Sequence, residues 1–309
     1  MEINTLPRND LLVDQLTNLL SVPGEPIEII SRLPFKGSST FPAEIIHCKV
    51  ARGKMFHLFG KYLAGLGPNN HGHRGGVEYE IKIYDEVLRK LPLSKARYWG
   101  KCSFPGTNEI LLLMDYLEGT YSLKGNPDIN HYLRAAAWVA RLHRFFENSL
   151  PSFVKVYDRD YYFVWTNRMQ NEPAILGAHP WLTKVIRYFN EHVDILTKAP
   201  QTLIHGEYYS KNILVRDEDV YPVDWESAAN APGEIDLASI IEARREEVVT
   251  QIKKSYIDTR FSDVVFDEAV FEKRLCMAQL YLHFRFFFPK KEEWRYDHIR
   301  ALANKLNIT

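Results

Sequence analysis

Two short apolar segments with polar side chains at their edges constrain this chain more than any other feature. The first, residues 203–215, carries Glu207 and, five positions later, Asn212. The second, residues 220–226, carries Asp224. Carboxylate and carboxamide oxygens on adjacent loops are ligands that Mg²⁺ prefers, and one acidic group would remain to orient or deprotonate an attacking hydroxyl. This set of groups is the minimum for phosphoryl transfer, which depends mainly on positioning and charge neutralisation.

The charge balance argues against polyanionic partners. The 309 residues contain 39 Lys and Arg and 39 Asp and Glu, so no net field attracts nucleic acid or an anionic membrane. No stretch approaches the ~18 apolar residues of a membrane span. We therefore expect no nucleic-acid partner and no membrane partner, and the sequence leaves the oligomeric state open.

The cysteines point to a reducing compartment. Cys48, Cys102 and Cys276 are far apart and lack the spacing of metal ligands, which predicts free thiols. The first residues lack the charged segment and apolar run of a signal peptide. With an ordinary hydrophobic content of 46%, these features predict a soluble cytoplasmic protein.

Hydrophobic periodicity predicts an α+β chain. A helix at 10–20 is followed by strands between residues 27 and 64, a helix at 77–91 and a buried strand at 109–116. Beyond residue 116, helical patterns dominate, at about 130–146, 181–197, 234–256 and 267–288. Within this helical part, strands are predicted near residues 203–227 alone.

The polar pattern resembles the aminoglycoside phosphotransferase and choline kinase group of small-molecule kinases. That family has His-Gly-Asp, four residues, Asn, and then a hydrophobic strand ending in Asp-Trp-Glu or Asp-Phe-Glu. The chain matches with His205-Gly206-Glu207, Asn212 and Asp224-Trp225-Glu226, followed by Asp236-Leu237-Ala238. The resemblance is dense over roughly 203–238, and Glu207 departs from it by replacing the family's catalytic Asp.

The resemblance implies a bilobal protein-kinase-like fold. A small β-sheet lobe with one helix, at residues 77–91, would span 1–116 and bind the nucleotide. A larger, mostly helical lobe would span 117–309. It would contain the catalytic loop at 203–215, the metal loop at 223–227 and the helices that recognise the acceptor.

Glu207 is the candidate catalytic residue, in the place of the family Asp. It would accept a proton from the substrate hydroxyl or orient that hydroxyl. Its extra methylene moves the carboxylate by about 1 Å, and a misplacement of that size can cost ~100-fold in rate. The alternative interpretation is a surface Glu in a turn.

Asn212 and Asp224 are the candidate Mg²⁺ ligands implied by the resemblance. Asn212 precedes the strand 213–215, and Asp224 follows the strand 220–223. The alternative is that Asn212 caps a turn and Asp224 starts one, which are common uses of these residues. The resemblance gives His205 and Asp236 structural roles, His205 bonding to backbone and Asp236 accepting hydrogen bonds beneath the catalytic loop.

Lys61 is the candidate phosphate-binding lysine. In the alternation of residues 55–61 it shares a face with apolar side chains, although a lysine near a strand end is often a solvated edge charge. On the helix 77–91, Glu80 falls within the apolar stripe, whereas Glu78 and Glu86 fall outside it. A carboxylate that faces the core needs a partner, so we expect a Lys61–Glu80 ion pair.

Two further segments are candidates for nucleotide contact. The turn containing Ser38 and Ser39 would cover the phosphates with backbone N–H and hydroxyl donors, although an ordinary hairpin turn would look the same. Residues 115–117 would form the hinge between the lobes, where Asp115 and Leu117 would meet the adenine through backbone groups.

The resemblance implies a kinase that transfers the γ-phosphoryl group of ATP or GTP, with Mg²⁺, to a hydroxyl of a small molecule. Antibiotic inactivation and housekeeping metabolism are both open. The alternative is a nucleotide-binding pseudokinase with a regulatory or scaffold role, in which Glu207 marks lost activity. A missing His-Arg-Asp loop and a missing Ala-Pro-Glu segment argue against a protein acceptor.

The sequence does not choose the acceptor. Candidate acceptor-binding residues lie in 158–168 and in the aromatic segment 281–288 with Trp294. At helical spacing, aromatic residues of this kind lie more often in the core than in a pocket.

Overall fold

The chain forms two compact units in the computed structural model. The first is Met1–Tyr121 with Leu214–Ser227, and the second is Ser122–Ile213 with Ala228–Thr309. The structure describes residues 7–20, 25–37, 41–50, 53–63, 75–104, 106, 109–126, 128–147, 149–286 and 293–308. Residues 214–227, which the sequence analysis assigns to the second domain, belong to the first unit in the structure.

The first unit is built on a five-stranded antiparallel sheet. The strands lie in the order β1-β2-β3-β5-β4. Their bounds are β1 Ile27–Pro34, β2 Ala43–Val50, β3 Met55–Tyr62, β4 Tyr98–Ser103 and β5 Ile110–Asp115. The predicted strands are confirmed to within a few residues, and β4 is an addition that the sequence analysis does not predict.

The core of this unit lies between the sheet and the helix α1, Asn9–Leu20. Leu12 and Leu16 are four residues apart, so both project from one face of α1 into the core. Ile46 and Cys48 of β2 alternate inward and join the same core. Burial of these apolar side chains fixes the register of β2.

The predicted helix at 77–91 is not one regular helix. An α-helix, α2, spans Gly76–Lys82, a π-helical turn follows at Ile83–Val87, and a 3₁₀ turn ends the segment at Leu88–Lys90. Single-turn π insertions occur mostly within α-helices and frequently near functional sites. Glu80 is buried here, whereas Glu78 and Glu86 are exposed, as the helical spacing predicts.

The second unit is mostly helical. Its helices are α3 Ile129–Phe145, α4 Arg159–Gln170, α5 Pro173–Ala178, α6 Trp181–Glu191, α7 Asp194–Thr197, α8 Glu234–Ile241, α9 Glu246–Arg260, α10 Glu268–Arg285 and α11 Glu293–Lys305. Strands β7, Gln201–Ile204, and β10, Ala229–Pro232, pair antiparallel within it. The remaining short strands, β6 Tyr121–Ser122, β8 Ile213–Arg216 and β9 Asp219–Pro222, form a three-stranded sheet in the order β6-β8-β9. Of these, β9 and residues 214–216 of β8 belong to the first unit.

The helix predicted at 234–256 is wrong as a single element. The chain forms α8 and α9 instead, and Ala243 between them has a φ of +57°. A residue in the left-handed region ends an α-helix and lets the chain change direction. The helix predicted at 181–197 is likewise divided into α6 and α7.

The three cysteines are free thiols, as predicted, and the structure shows that all three are buried. Burial raises the pKa of the Cys48 thiol to about 11 and that of the Cys102 thiol to about 12. Over the residues that the structure describes, no helix has the length and apolar character needed to cross a bilayer.

A buried histidine pair predicts that stability falls with acidification. The Nε2 of His283 on α10 lies 2.8 Å from the Nδ1 of His298 on α11. Burial, together with His298 and Arg295, holds the pKa of His283 well below its usual range. The unfolded chain, with a histidine pKa of about 6.5, therefore binds a proton first as the pH falls.

The stabilisation from neutral His283 is present above about pH 6.5 and is lost below it, by at most ~1.4 kcal/mol per pH unit. We expect the urea midpoint to fall between pH 7.5 and 5.5, and to fall less for His283→Gln. Equal slopes for the parent and the variant would contradict this assignment.

Candidate active site

The loop that carries Glu207 is tied down from below by Asp236. The Asp236 carboxylate accepts hydrogen bonds from the backbone N–H groups of His205, at 2.7 Å, and Gly206, at 2.9 Å. Gly206 has a φ of +77°, a conformation that glycine adopts without steric cost, so the chain turns sharply after β7. The structural role predicted for Asp236 is confirmed.

His143 completes the support beneath this loop. Its Nε2 lies 3.2 Å from Asp236 Oδ2, and its Nδ1 lies 2.8 Å from the Tyr256 hydroxyl. Burial lowers the pKa of His143, and Asp236 only partly offsets that effect. A neutral imidazole therefore donates to Asp236 and accepts from Tyr256.

His205 stabilises the loop through the backbone, as predicted. Its Nδ1 accepts a hydrogen bond from the Glu207 N–H at 3.3 Å, and its side chain is fully buried. The imidazole therefore fixes the main chain at the candidate catalytic residue.

Glu207 is buried, which excludes the alternative of a surface Glu in a turn. The residue is 2% exposed, and its Oε1 accepts a hydrogen bond from Arg285 NH2 at 3.2 Å. Its Oε2 lies 4.0 Å from the ammonium group of Lys211, whose side chain is half exposed. A buried carboxylate requires such partners, and these contacts hold the side chain in one orientation.

Asn212 closes the same loop and keeps one oxygen available. Its Nδ2 donates to the Glu207 carbonyl at 3.0 Å, and its N–H donates to the Tyr209 carbonyl at 2.8 Å. The turn-capping role left open by the sequence is therefore present. The amide Oδ1 accepts no hydrogen bond from the described part of the chain, and the bond at Nδ2 fixes its direction.

In the first unit, Lys61 lies among three carboxylates. Its Nζ is 2.8 Å from Glu80 Oε2, 2.7 Å from Asp224 Oδ1 and 3.7 Å from Glu226 Oε2. Burial alone would lower the pKa of Lys61, but the three carboxylates outweigh burial and raise it, so the lysine stays charged. The predicted Lys61–Glu80 ion pair is present, and the alternative of a solvated edge charge is excluded because Lys61 is 7% exposed.

The backbone around Asp224 is held by the same carboxylate that holds Lys61. Asp224 has a φ of +71°, a left-handed conformation that Asp tolerates better than most residues. The next N–H, of Trp225, donates to Glu80 Oε1 at 3.0 Å. Glu80 therefore fixes both the lysine and the turn that presents Asp224, whose side chain remains 33% exposed.

Glu80→Gln is expected to lower the free energy of unfolding by about 2 kcal/mol, the scale of a buried hydrogen bond to a charged group. The amide keeps the size of the side chain but loses the charge that faces Lys61. Glu86→Gln, an exposed change in the same helical segment, should stay within about 0.5 kcal/mol. Chemical denaturation of both variants checks this, and equal effects would contradict the importance of the ion pair.

Some polar groups of the predicted hinge residues already form hydrogen bonds within the protein. Asp115 donates its N–H to the Arg97 carbonyl at 2.9 Å and accepts from Trp99 Nε1 at 2.6 Å through its side chain. The Leu117 carbonyl accepts from Thr120, whereas the Leu117 N–H has no acceptor among the described residues. A nucleotide base could therefore meet the Leu117 N–H. Ser38 and Ser39 lie outside the described residues.

The contact between Arg285 and Glu207 is not predicted from the sequence. The aromatic segment that contains Arg285 is a candidate for acceptor binding, yet Tyr281 is fully buried and belongs to the core, as do Tyr162 and Trp165. One signal was available: an Arg within an aromatic, core-facing helix needs a buried acidic partner. The sequence offers no means of choosing that partner.

The chain matches a known family over most of the region that carries these groups. Residues 76–268, more than half of the sequence, match the family described as "Phosphotransferase enzyme family". The chain belongs to the phosphotransferase enzyme family. Glu80, Glu207, Asn212 and Asp224 lie within the matched region, whereas Lys61 precedes it. The predicted resemblance to aminoglycoside phosphotransferases and choline kinases is confirmed.

Solved structures share this family member's fold over nearly its whole length. A macrolide 2′-phosphotransferase from Brachybacterium faecium is 15% identical, with 96% of this chain and 98% of that chain covered and a TM-score of 0.55. A choline kinase from Cryptosporidium parvum is 10% identical, with 97% and 96% covered and a TM-score of 0.61. The GDP and kanamycin complex of APH(2″)-IIia is 13% identical, with 96% and 99% covered and a TM-score of 0.62.

These structural likenesses confirm the predicted α+β, protein-kinase-like fold. No curated protein sequence matches this chain significantly.

Proposed function

We propose that this phosphotransferase family member transfers the γ-phosphoryl group of ATP or GTP to a hydroxyl group of a small-molecule acceptor. In this reaction the acceptor oxygen bonds to the γ-phosphorus, the bond to the β-phosphate oxygen breaks, and the nucleoside diphosphate leaves. The hydroxyl proton passes to Glu207 or, if Glu207 only orients the hydroxyl, to solvent. The observation that carries the proposal is the buried Glu207 carboxylate, which Arg285 holds on a loop anchored by Asp236.

The first unit supplies the groups proposed to hold the nucleotide. Lys61, kept charged by Glu80, would contact the α- and β-phosphates, and the Leu117 N–H and Asp115 carbonyl would meet the base. Support comes from the buried Lys61–Glu80 pair and from a GDP complex among the structures that share the fold. Ser38 and Ser39 are proposed to cover the phosphates.

Mg²⁺ is the proposed metal, with Asn212 and Asp224 as its protein ligands. Two observations, one in each unit, support this proposal: Asn212 Oδ1 is oriented and accepts no hydrogen bond within the described residues, and the Asp224 carboxylate is partly exposed. Mg²⁺ takes few protein oxygens and shares the rest with phosphates and water, so two ligands suffice. When bound, the ion would neutralise charge on the phosphate oxygens.

The proposal covers both antibiotic and metabolic acceptors. By their names, the structures that share the fold are a macrolide phosphotransferase, a choline kinase and a kanamycin complex. The experiment below therefore includes acceptors of both kinds. The three buried free thiols suit a reducing compartment, and we extend the proposal to a cytoplasmic location.

A nucleotide-binding pseudokinase is the second candidate. The observation that favours it is the Arg285–Glu207 pair, because a buried ion pair of this kind can serve the fold alone. Against it, loss of activity usually alters the metal ligands too, whereas Asn212, Asp224 and Lys61 are all in place. Turnover separates the two candidates, whereas nucleotide binding does not.

The test is a nucleotide-consumption screen with ATP, GTP and Mg²⁺. The acceptor panel contains macrolides, aminoglycosides, amino alcohols and sugars, and Asp224→Ala serves as the blank. We expect an acceptor-dependent signal that the blank lacks. Mg²⁺–nucleotide binding without turnover on any acceptor would favour the pseudokinase.

A further inference from the structure

Arg285 contacts both the main chain and the carboxylate of the catalytic loop. Its NH1 donates to the Gly206 carbonyl at 2.9 Å, and its NH2 donates to Glu207 Oε1 at 3.2 Å. The side chain is fully buried, so no solvent competes for these bonds. Because the guanidinium group is planar and rigid, the two bonds fix the Glu207 carboxylate relative to its own backbone.

Arg285 is itself anchored by a buried tyrosine pair. Its NH1 also donates to the Tyr281 hydroxyl at 3.0 Å, and that hydroxyl lies 2.8 Å from the Tyr161 hydroxyl. Tyr281 precedes Arg285 by one turn of α10, so the helix presets the position of the guanidinium group. The tyrosine pair and Arg285 thus form one continuous chain of contacts that ends at Glu207.

Arg285 contacts the Oε1 atom of Glu207, and the Oε2 atom lies 4.0 Å from the ammonium group of Lys211. A Glu carries one more rotatable bond than the family's Asp, and the bond to Arg285 restricts that freedom. The longer side chain therefore comes with a partner that holds it.

We propose that Arg285 is a positioning residue that fixes Glu207 for phosphoryl transfer and compensates for the presence of Glu in the family's Asp position. This inference rests on the proposed function. Arg285 does not touch the substrate and acts only through Glu207. Losing Arg285 should therefore lower kcat and leave the nucleotide KM unchanged.

The experiment is a double-mutant cycle measured by steady-state kinetics on the full chain. Arg285→Lys keeps the charge but loses the fork, and we expect kcat to fall by about 100-fold, the cost of a misplacement of about 1 Å. The nucleotide KM should stay within about twofold. In the Glu207→Gln background, Arg285→Lys should lower the remaining kcat by no more than about twofold, because the group it positions is gone.

Two further variants distinguish a loss of positioning from a loss of folding. Tyr281→Phe removes the hydroxyl that anchors Arg285 and leaves the Arg285–Glu207 bond in place, with an expected fall in kcat of about tenfold. Arg274→Lys alters another Arg of α10, which pairs with Glu234 at 3.3 Å, and should leave kcat within about twofold. Urea midpoints identify any variant that fails to fold.

An equal loss of kcat in the parent and Glu207→Gln backgrounds would overturn the positioning role, as would a change confined to KM. A parent without turnover on any acceptor gives a different result, because it overturns the proposed function and the role of Arg285 with it.

Discussion

Asp224→Ala is expected to reduce kcat/KM by on the order of 10³-fold, the scale of several kcal/mol of charge stabilisation that a bound metal ion supplies. Asp224 is proposed to hold Mg²⁺, and its carboxylate also lies 2.7 Å from Lys61 Nζ. Removing it would weaken the metal site and take away one of the carboxylates that keep Lys61 in place. Steady-state kinetics and calorimetric titration with Mg²⁺ and nucleotide should therefore show loss of turnover and loss of binding together.

Asp219→Ala provides the matched control for this change. Asp219 is an exposed carboxylate of the neighbouring strand β9 and accepts a hydrogen bond from the Tyr221 hydroxyl at 3.1 Å. It should bind nucleotide and turn over within about twofold of the parent. Parental activity in Asp224→Ala would remove Asp224 from the site.

Glu207→Gln is expected to lower kcat by about 10²- to 10⁴-fold, the usual contribution of a positioned acid or base. The amide keeps the shape of the side chain and can still accept from Arg285, but it cannot accept the hydroxyl proton. Nucleotide affinity should be unchanged, because the groups proposed to hold the nucleotide are Lys61 and the hinge. Equal turnover by the variant and the parent would contradict the catalytic role proposed for Glu207.

Glu207→Asp tests how far the surrounding loop is fitted to the longer side chain. The shorter carboxylate would withdraw from Arg285 NH2, which lies 3.2 Å away in the parent. We therefore expect a loss of kcat rather than a gain, although Asp is the family's own residue. A gain in kcat would mean that the longer Glu side chain places the carboxylate less well than Asp does.

Two local patterns together predict the Lys61–Glu80 pair. Glu80 lies in the apolar stripe of its helix, and a carboxylate that faces a core needs a cation. Lys61 shares a strand face with apolar residues, which makes it the candidate partner. Asp236 beneath the loop was predicted from the resemblance, and its bonds to the His205 and Gly206 N–H groups agree with it.

Other features depend on tertiary contacts that local patterns do not contain. Ala243 is a good helix former, yet its φ of +57° separates α8 from α9, so tertiary context overrides propensity. The π-helical turn at Ile83–Val87 keeps the same apolar stripe as an α-helix and leaves no mark in the spacing. Arg285 and Glu207 are joined only by the fold, since nothing in their separation along the chain relates them.

The most direct test of the central claim is to detect phosphoryl transfer to the acceptor itself. The parent and Glu207→Gln would be incubated with γ-labelled ATP or GTP, Mg²⁺ and the best acceptor of the screen, and the products would be separated and identified by mass spectrometry. We predict label in the acceptor with the parent and a rate at least about 100-fold lower with Glu207→Gln. Nucleotide consumption without label in the acceptor, or equal labelling by both proteins, would contradict the account.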